Sequence, residues 1–459
     1  MKSLPEKYVP KTVSIIGAAR SGIGAAKFLT AQGISVFISD SCPEEKLEKI
    51  LYENDLSHCG HESGAHTDAV MNADVMVISP GVPTTLPVVA KAIEQGMAVW
   101  SEVELAYRFT DAKFLAVTGS SGKSTTTSIL GAILQKAKKS YAVAGNIGVP
   151  LVDVVGTLTK ESFVAAEISS FQLETIDLFR PQAAAILNLM KNHLDRYDTE
   201  EAYYDAKKAI ARNFNFDNHL VLNARDSRLF AWAHSMKSKT NVVFFGANIS
   251  GHDCAWYEGD SIWTMWHGEK SLLLKVGDMA LSGPHNYDNA SAAAALALCA
   301  KIDRAAIASG ICGFSGLKHR LEYVAEVNSV GFYNDSKATT AESVLCAVNA
   351  FGNNVHLIAG GRDKGCDFSI VRDAIRSKAR GVYLIGETAD RIGQEWKDLA
   401  PLYRCNSLEE AIRLAYAKAT KGDVVVLSPG CSSFDMFENY EKRGESFIAT
   451  VKTLAKETL

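Results

Sequence analysis

The stretch KFLAVTGSSGKSTTTSILGAILQKA, residues 113–137, decides the fold class. Lys113 to Val117 is a short apolar run that reads as a strand. A glycine-rich turn follows, and Lys123 opens a helical pattern. In Gly119-Ser120-Ser121-Gly122-Lys123-Ser124-Thr125 the glycines let backbone N–H groups crowd around an anion, and the helix N-terminus adds its dipole. Lys123 would bring a fixed charge to the β- and γ-phosphates, and the Ser124 hydroxyl could ligate Mg²⁺. Only two residues separate the glycines, so this is a short form of P-loop. The bland alternative is a strand-to-helix turn with a surface lysine; the order strand, loop, Lys, Ser, helix favours nucleotide binding.

The same alternation extends both ways. Upstream, Thr12 to Ile16, Gly17 and AARSGIGAAKFLTAQG read as strand, turn and helix, then ISVFIS runs to Asp40 and VMVIS stops at PGVP (80–83). Downstream, FVAAEIS and AAAILNL are strand candidates, Glu200 to Arg212 reads as a helix, and 241–277 reads as antiparallel strands before the small-residue helix NASAAAALALCAK. After Gly316 the pattern restarts with VGFYND, VHLIAGG, GVYLIG and DVVVLSPG. Strands alternating with helices imply parallel sheets covered by helices. The expectation is an α/β protein of three domains, 1–110, 111–316 and 317–459, the middle one adding a smaller antiparallel sheet. In the first domain Gly17, Gly22 and Gly24 do not match GxGxxG, although Asp40 ends the next strand where an acidic residue would contact a ribose. That loop leaves open a dinucleotide enzyme, a site for another phosphorylated nucleoside, or a structural βαβ unit.

Composition narrows the classes. The 459 residues are 47% hydrophobic and 22% charged, which excludes a disordered chain, a collagen and a coiled coil. A net charge of −4 gives no support for nucleic-acid binding. No apolar run approaches a membrane span, and the N-terminus lacks a signal-peptide stretch. Nine cysteines without C-x-x-C read as reduced thiols in a cytoplasm. His58, Cys59, His61 and His66 in HCGHESGAH match no paired zinc spacing and read as a glycine-rich surface loop.

Nine motifs then occur in order: TGSSGKST (118–125), GNIG (145–148), EISSFQLE (167–174), NHLDRY (192–197), SGPHNYDNA (282–290), SGLKHRLE (315–322), NDSKATT (334–340), AGGRDKG (359–365) and LSPGCSSFDMFENYEKRG (427–444). Together they resemble the Mur ligase family, over essentially the whole chain. SSFQLE, NDSKAT and the absence of a DNPR motif point within it to the D-glutamate-adding branch. The resemblance implies an N-terminal Rossmann-like domain for the UDP substrate, a central ATPase domain and a C-terminal Rossmann-like domain for the amino acid. It implies a monomeric cytoplasmic enzyme that uses ATP and two Mg²⁺ ions. Its reaction would add D-glutamate to UDP-N-acetylmuramoyl-L-alanine through an acyl phosphate, in peptidoglycan precursor synthesis. Another Mur ligase, or a folylpolyglutamate synthetase, is the alternative.

Residue by residue, the resemblance assigns ATP to the P-loop (119–125) with Asn286, Asn289, Arg320 and Asp335. Catalysis falls to Lys123, His193, Lys207 and Arg320. Mg²⁺ falls to Ser124, Glu167, His193 and Lys207, the last as a carbamate, since Tyr203, Ala206 and Ile210 match the flanks of Y-x-x-A-K-x-x-I and leave Lys208 solvated. Ser21, Asp40, Ser41, Asn146 and His193 would meet the UDP substrate. Thr339, Lys364, Ser433 and the backbone of Tyr440 would grip D-glutamate. The chain departs from the family pattern at Cys42, where Arg is frequent, at Ser121, where Asn is usual, and conservatively at Phe434 and Tyr440.

Overall fold

The structure, a computed structural model, describes residues 8–191, 196–362 and 366–458. The chain forms two compact units, Met1–Ser315 and Gly316–Leu459. The first unit holds two sheets. In the N-terminal one, β1 (Thr12–Ile16), β2 (Ser35–Asp40), β3 (Gly60–Ser63), β4 (Val75–Ile78) and β5 (Ala98–Ser101) run parallel in the order β3-β2-β1-β4-β5. Helices cover both faces, so central strands are buried on both sides and read as unbroken apolar runs. The helix Arg20–Ala31 lays Ile23, Ala25, Ala26 and Leu29 on that sheet.

The second sheet contains β6 (Lys113–Thr118), β7 (Tyr141–Gly145), β8 (Phe163–Glu167), β9 (Ala183–Ile186), β10 (His219–Asn223), β11 (Asn241–Phe245), β12 (Cys254–Glu258), β13 (Ser261–Trp266) and β14 (Glu269–Lys275). Their order is β14-β13-β12-β11-β10-β9-β6-β8-β7. The chain leaves β6 for β7 and β8 on one side and returns to β9 on the other. The crevice at the carboxyl ends of β6, β8 and β9 is therefore where a ligand site forms in such a sheet. The helix Lys123–Lys136 springs from that crevice, packed by the alanine-rich helix Pro284–Cys299 and by Arg304–Cys312. At Gly310 the approach is so close that a Cβ would lie 2.5 Å from Ile133 Cα, which excludes any side chain there.

In the second unit, β15 (Glu322–Val327), β16 (Val330–Asn334), β17 (Val355–Gly360), β18 (Ala379–Ile385), β19 (Leu402–Arg404) and β20 (Val424–Leu427) form a sheet ordered β15-β16-β20-β17-β18-β19. All pairs are parallel except the β15–β16 hairpin, whose turn puts Asn328 and Ser329 at φ 49° and 64°, matching strand twist.

Three expectations change. HCGHESGAH contains the edge strand β3; two of its imidazoles are engaged, His61 with Glu44 and His66 with Ser39. Only β12–β13–β14 are antiparallel in 241–277, because β11 pairs parallel to both β10 and β12. The alanine-rich helix starts at Pro284, since proline suits a first helical turn whose N–H has no partner anyway. Glu200–Lys208 is α-helical and continues as one 3₁₀ turn, Ala209–Ala211. Among the described residues no helix is long and apolar enough to cross a membrane.

Candidate active site

The P-loop leaves β6 through two glycines at positive φ, Gly119 at 145° and Gly122 at 84°. A Cβ at Gly119 would meet Leu187 Cβ at 3.0 Å, and one at Gly122 would meet Asn289 Oδ1 at 2.4 Å. Glycine is thus required by conformation and by space. Lys123 Nζ folds back to the carbonyls of Gly119 (2.9 Å) and Ser120 (3.3 Å), as a cation does when holding the loop around a space for phosphate. Ser124 is buried in the first helical turn, Thr125 is half-buried and Ser121 is exposed. Asn188, at the end of β9, pins the loop: its Oδ1 accepts from the N–H groups of Ser120 (3.0 Å) and Ser121 (2.9 Å). Asn289 Oδ1 accepts from Thr126 Oγ1 at 3.3 Å, placing this asparagine beside the loop. Asn286 reaches back to the Ser282 carbonyl (2.9 Å), while Gly283 occupies the N-cap.

Beside the loop stand Glu167 and Lys207. Glu167 ends β8 and is 2% exposed. One carboxylate oxygen accepts from Asn146 Nδ2 at 2.8 Å, and the other is buried with no partner among the described groups. Lys207, 1% exposed, donates to the Gly119 carbonyl at 3.0 Å and lies 4.4 Å from the Tyr203 ring centroid. Burial, and next the Lys123 charge, hold its amine well below the ordinary lysine range, against the pull of Glu167. An amine so depressed is the form that reacts with CO₂. Lys208 differs, paired at the surface with Asp205 (2.9 Å).

The glycine-rich turn after β1 is equally constrained, because a Cβ at Gly22 would lie 1.9 Å from the Gly17 carbonyl oxygen. Ser21 sits half-buried in the first turn of the following helix. Asp40 accepts from the N–H groups of Ala18 (2.6 Å) and Cys42 (2.8 Å). Burial raises its pKa, but those N–H bonds outweigh burial and hold the carboxyl below its usual range. Ser41 is exposed beside it. An ionised acceptor at this strand end suits N–H or hydroxyl donors of a nucleoside.

In the second unit, Asp335 is 7% exposed and accepts from Ser428 Oγ (2.9 Å) and the Leu321 N–H (3.2 Å); burial pushes its pKa up to about 7. Arg320 is exposed and Thr339 half-buried. Ser433 is buried, its carbonyl accepting from Met436 (3.1 Å) and Phe437 (2.8 Å), and Tyr440 opens the helix Tyr440–Glu457 behind the Asn439 cap. One residue without an assigned role joins these segments. Arg443, 1% exposed, donates to Ser336 Oγ (3.0 Å) and to the carbonyls of Ser336 (2.8 Å), Cys431 (3.0 Å) and Ser432 (3.3 Å). It ties NDSKATT to the CSSF turn, and burial lowers its pKa to about 10. In sequence it reads as one charge on an amphipathic helix; nothing marks it as internal. His193 and Lys364 lie outside the described residues.

Comparison with known proteins gives concordant matches. The family model described as Mur ligase MurD-like, N-terminal domain, matches residues 11–101; Mur ligase middle domain matches 117–297; and Mur ligase, glutamate ligase domain, matches 319–431. Curated relatives include the UDP-N-acetylmuramoylalanine–D-glutamate ligases of Koribacter versatilis, 39% identical over 97% of this chain and 98% of that protein. The corresponding ligase of Clostridioides difficile is 37% identical over 97% and 99%. Among solved structures, MurF ligase from Thermotoga maritima in complex with ADP aligns with TM-score 0.60 and 15% identity, covering 93% of this chain and 96% of that one. A pseudomurein peptide ligase from Methanothermus fervidus aligns at 0.58 and 17%, covering 97% and 100%. At these identities the structures bear on the fold alone.

Proposed function

The chain belongs to the Mur ligase family, and we propose that within it this protein joins D-glutamate to UDP-N-acetylmuramoyl-L-alanine, converting ATP to ADP and phosphate through an acyl phosphate. The choice of substrates is supported by curated D-glutamate ligases similar along nearly the whole chain. The chemistry is carried by one observation: at the P-loop, a buried carboxylate with an unpartnered oxygen stands with Lys123 and Lys207.

Joining a carboxylate to an amine in water runs uphill. Transfer of the γ-phosphoryl group to the alanine carboxylate of the muramoyl substrate turns the departing oxygen into phosphate, and the D-glutamate amine then attacks the activated carbonyl. The amine loses its proton and phosphate leaves. Both reactants of the first step are anions, so the protein's task is to position them and supply positive charge. The backbone N–H groups of 119–125 cradle the phosphates, Lys123 neutralises charge on the transferring group, and Arg320 adds a guanidinium fork. Asn286, Asn289 and Asp335 hold the rest of ATP.

The hard oxygen donors Ser124 and Glu167 suit Mg²⁺, and the unpartnered Glu167 oxygen fits a cation. Two ions held by Ser124, Glu167, His193 and Lys207 would supply charge to the phosphates. Lys207 fits this set as a carbamate: its neutral amine adds CO₂ and releases a proton, becoming an anionic oxygen ligand. Ser21, Asp40 and Ser41 receive the uridine diphosphate end, and Asn146 and His193 the muramoyl end. Thr339, Lys364, Ser433 and the Tyr440 backbone grip the two D-glutamate carboxylates. UDP-sugar and ATP as substrates support a cytoplasmic enzyme, which we take to be a monomer. The acyl phosphate is tested with ¹⁸O in the muramoyl-alanine carboxylate: one label must appear in the released phosphate, and unlabelled phosphate would overturn this route.

A further inference from the structure

Arg196, in NHLDRY, has no part in the reaction as proposed, yet its guanidinium is bonded to three acceptors. It donates to the carbonyls of Pro80 and Val82 (3.2 Å each) and to Glu174 Oε2 (2.7 Å), and lies 4.3 Å from the Phe171 ring centroid. Its side chain is 13% exposed. Those carbonyls belong to the turn after β4. On its other side that turn closes on the glycine-rich loop assigned to the UDP substrate. Ser79 Oγ donates to the Gly17 carbonyl at 2.9 Å, and a Cβ at Gly17 would meet Ser79 at 3.0 Å and Val82 at 3.2 Å.

From Arg196 the contacts continue to the catalytic helix. The Tyr197 phenol donates to Glu174 Oε1 at 2.6 Å, and its ring lies 5.4 Å from that of Tyr203. The Tyr203 ring is the one against which Lys207 sits, and Lys207 bonds the P-loop carbonyl of Gly119. We infer that Arg196 is a positioning residue that fastens the turn beneath the nucleotide-sugar to the helix carrying Lys207, so that occupancy of the two loops is mutually reinforcing. Three acceptors at the corners of a planar fork are a geometry that a lysine ammonium cannot reproduce. A contiguous, packed chain of this kind is a physical route for coupling between sites.

The inference rests on the proposed substrates, and its test separates the two. Calorimetric binding of UDP-N-acetylmuramoyl-L-alanine is measured with and without a non-hydrolysable ATP analogue and Mg²⁺, for the wild type, Arg196→Ala and Arg196→Lys. In the wild type the analogue should tighten muramoyl-nucleotide binding about tenfold, a typical coupling. In Arg196→Ala that ratio should fall close to one while the analogue's own affinity stays within about twofold. Arg196→Lys keeps the charge but loses the planar fork, and should be intermediate. An undiminished ratio in either variant, a wild-type ratio of one, or equal loss of both affinities would overturn the inference; equal loss is what general loosening produces. Failure of the wild type to bind the muramoyl nucleotide would overturn the substrate reading itself, and the coupling with it.

Discussion

Replacing Glu167 by glutamine separates function from fold at one side chain. The carboxylate keeps one bond, to Asn146 Nδ2 at 2.8 Å, and leaves its second oxygen buried without a partner. A buried acceptor in that state costs about 1–3 kcal/mol. Attraction to Lys123 offsets part of this, and glutamine retains the oxygen that faces Asn146. The apo protein should therefore change stability by about −1 to +2 kcal/mol, at most a few degrees in Tm for a unit of this size. Activity should fall far more, about 100- to 1,000-fold, because an anionic anchor in a phosphoryl-transfer site has been neutralised. Phosphate-release rates at saturating substrates, alongside thermal unfolding without nucleotide or Mg²⁺, give both numbers. Turnover within tenfold of the wild type would refute the role of this carboxylate. A Tm drop of more than about 5 °C would show that the charge serves the fold.

Lys123→Ala should lose about 100- to 1,000-fold in turnover through loss of charge at the transferring group, read in the same assay. Lys207→Met should abolish most activity while Lys208→Ala is nearly silent. Because burial lowers the Lys207 pKa in the folded state, the unfolded chain binds more protons below the ordinary lysine range; wild-type stability in CO₂-free buffer should rise with pH there, and Lys207→Met should flatten that rise. Lys364→Ala should weaken D-glutamate use by about 10- to 150-fold in KM, leaving acyl-phosphate formation intact. Asp335 has the opposite sign: its folded pKa of about 7 lies above the unfolded 3.8, so its contribution is lost as pH rises. From pH 8 to pH 6 the second unit should gain about 1.4 kcal/mol, absent in Asp335→Asn, read by hydrogen exchange in β16 and β20.

Much of this is legible in the sequence alone. Buried parallel strands such as β1, β6 and β20 announce themselves as apolar runs, and glycines at 17, 119 and 122 mark turns that no other residue fits. Edge strands were not legible. Gly60–Ser63 is polar, short and half-covered, so neither apolar content nor alternation separates it from a loop. The parallel pairing of β11 is not legible because an aromatic, β-branched segment carries no signal of direction. At the site, the motif residues were readable by type. Their supports were not, since Asn188 and Arg443 act by bonding backbone groups distant in sequence, and only the fold brings those groups within reach.

The decisive measurement is incorporation of labelled D-glutamate into UDP-N-acetylmuramoyl-L-alanine, with ADP counted in the same reaction. One ADP should form per D-glutamate joined, with strict dependence on ATP and Mg²⁺ and negligible incorporation of L-glutamate, L-lysine or diaminopimelate. Absence of product from folded protein, or preference for another amino acid, would contradict the proposed function.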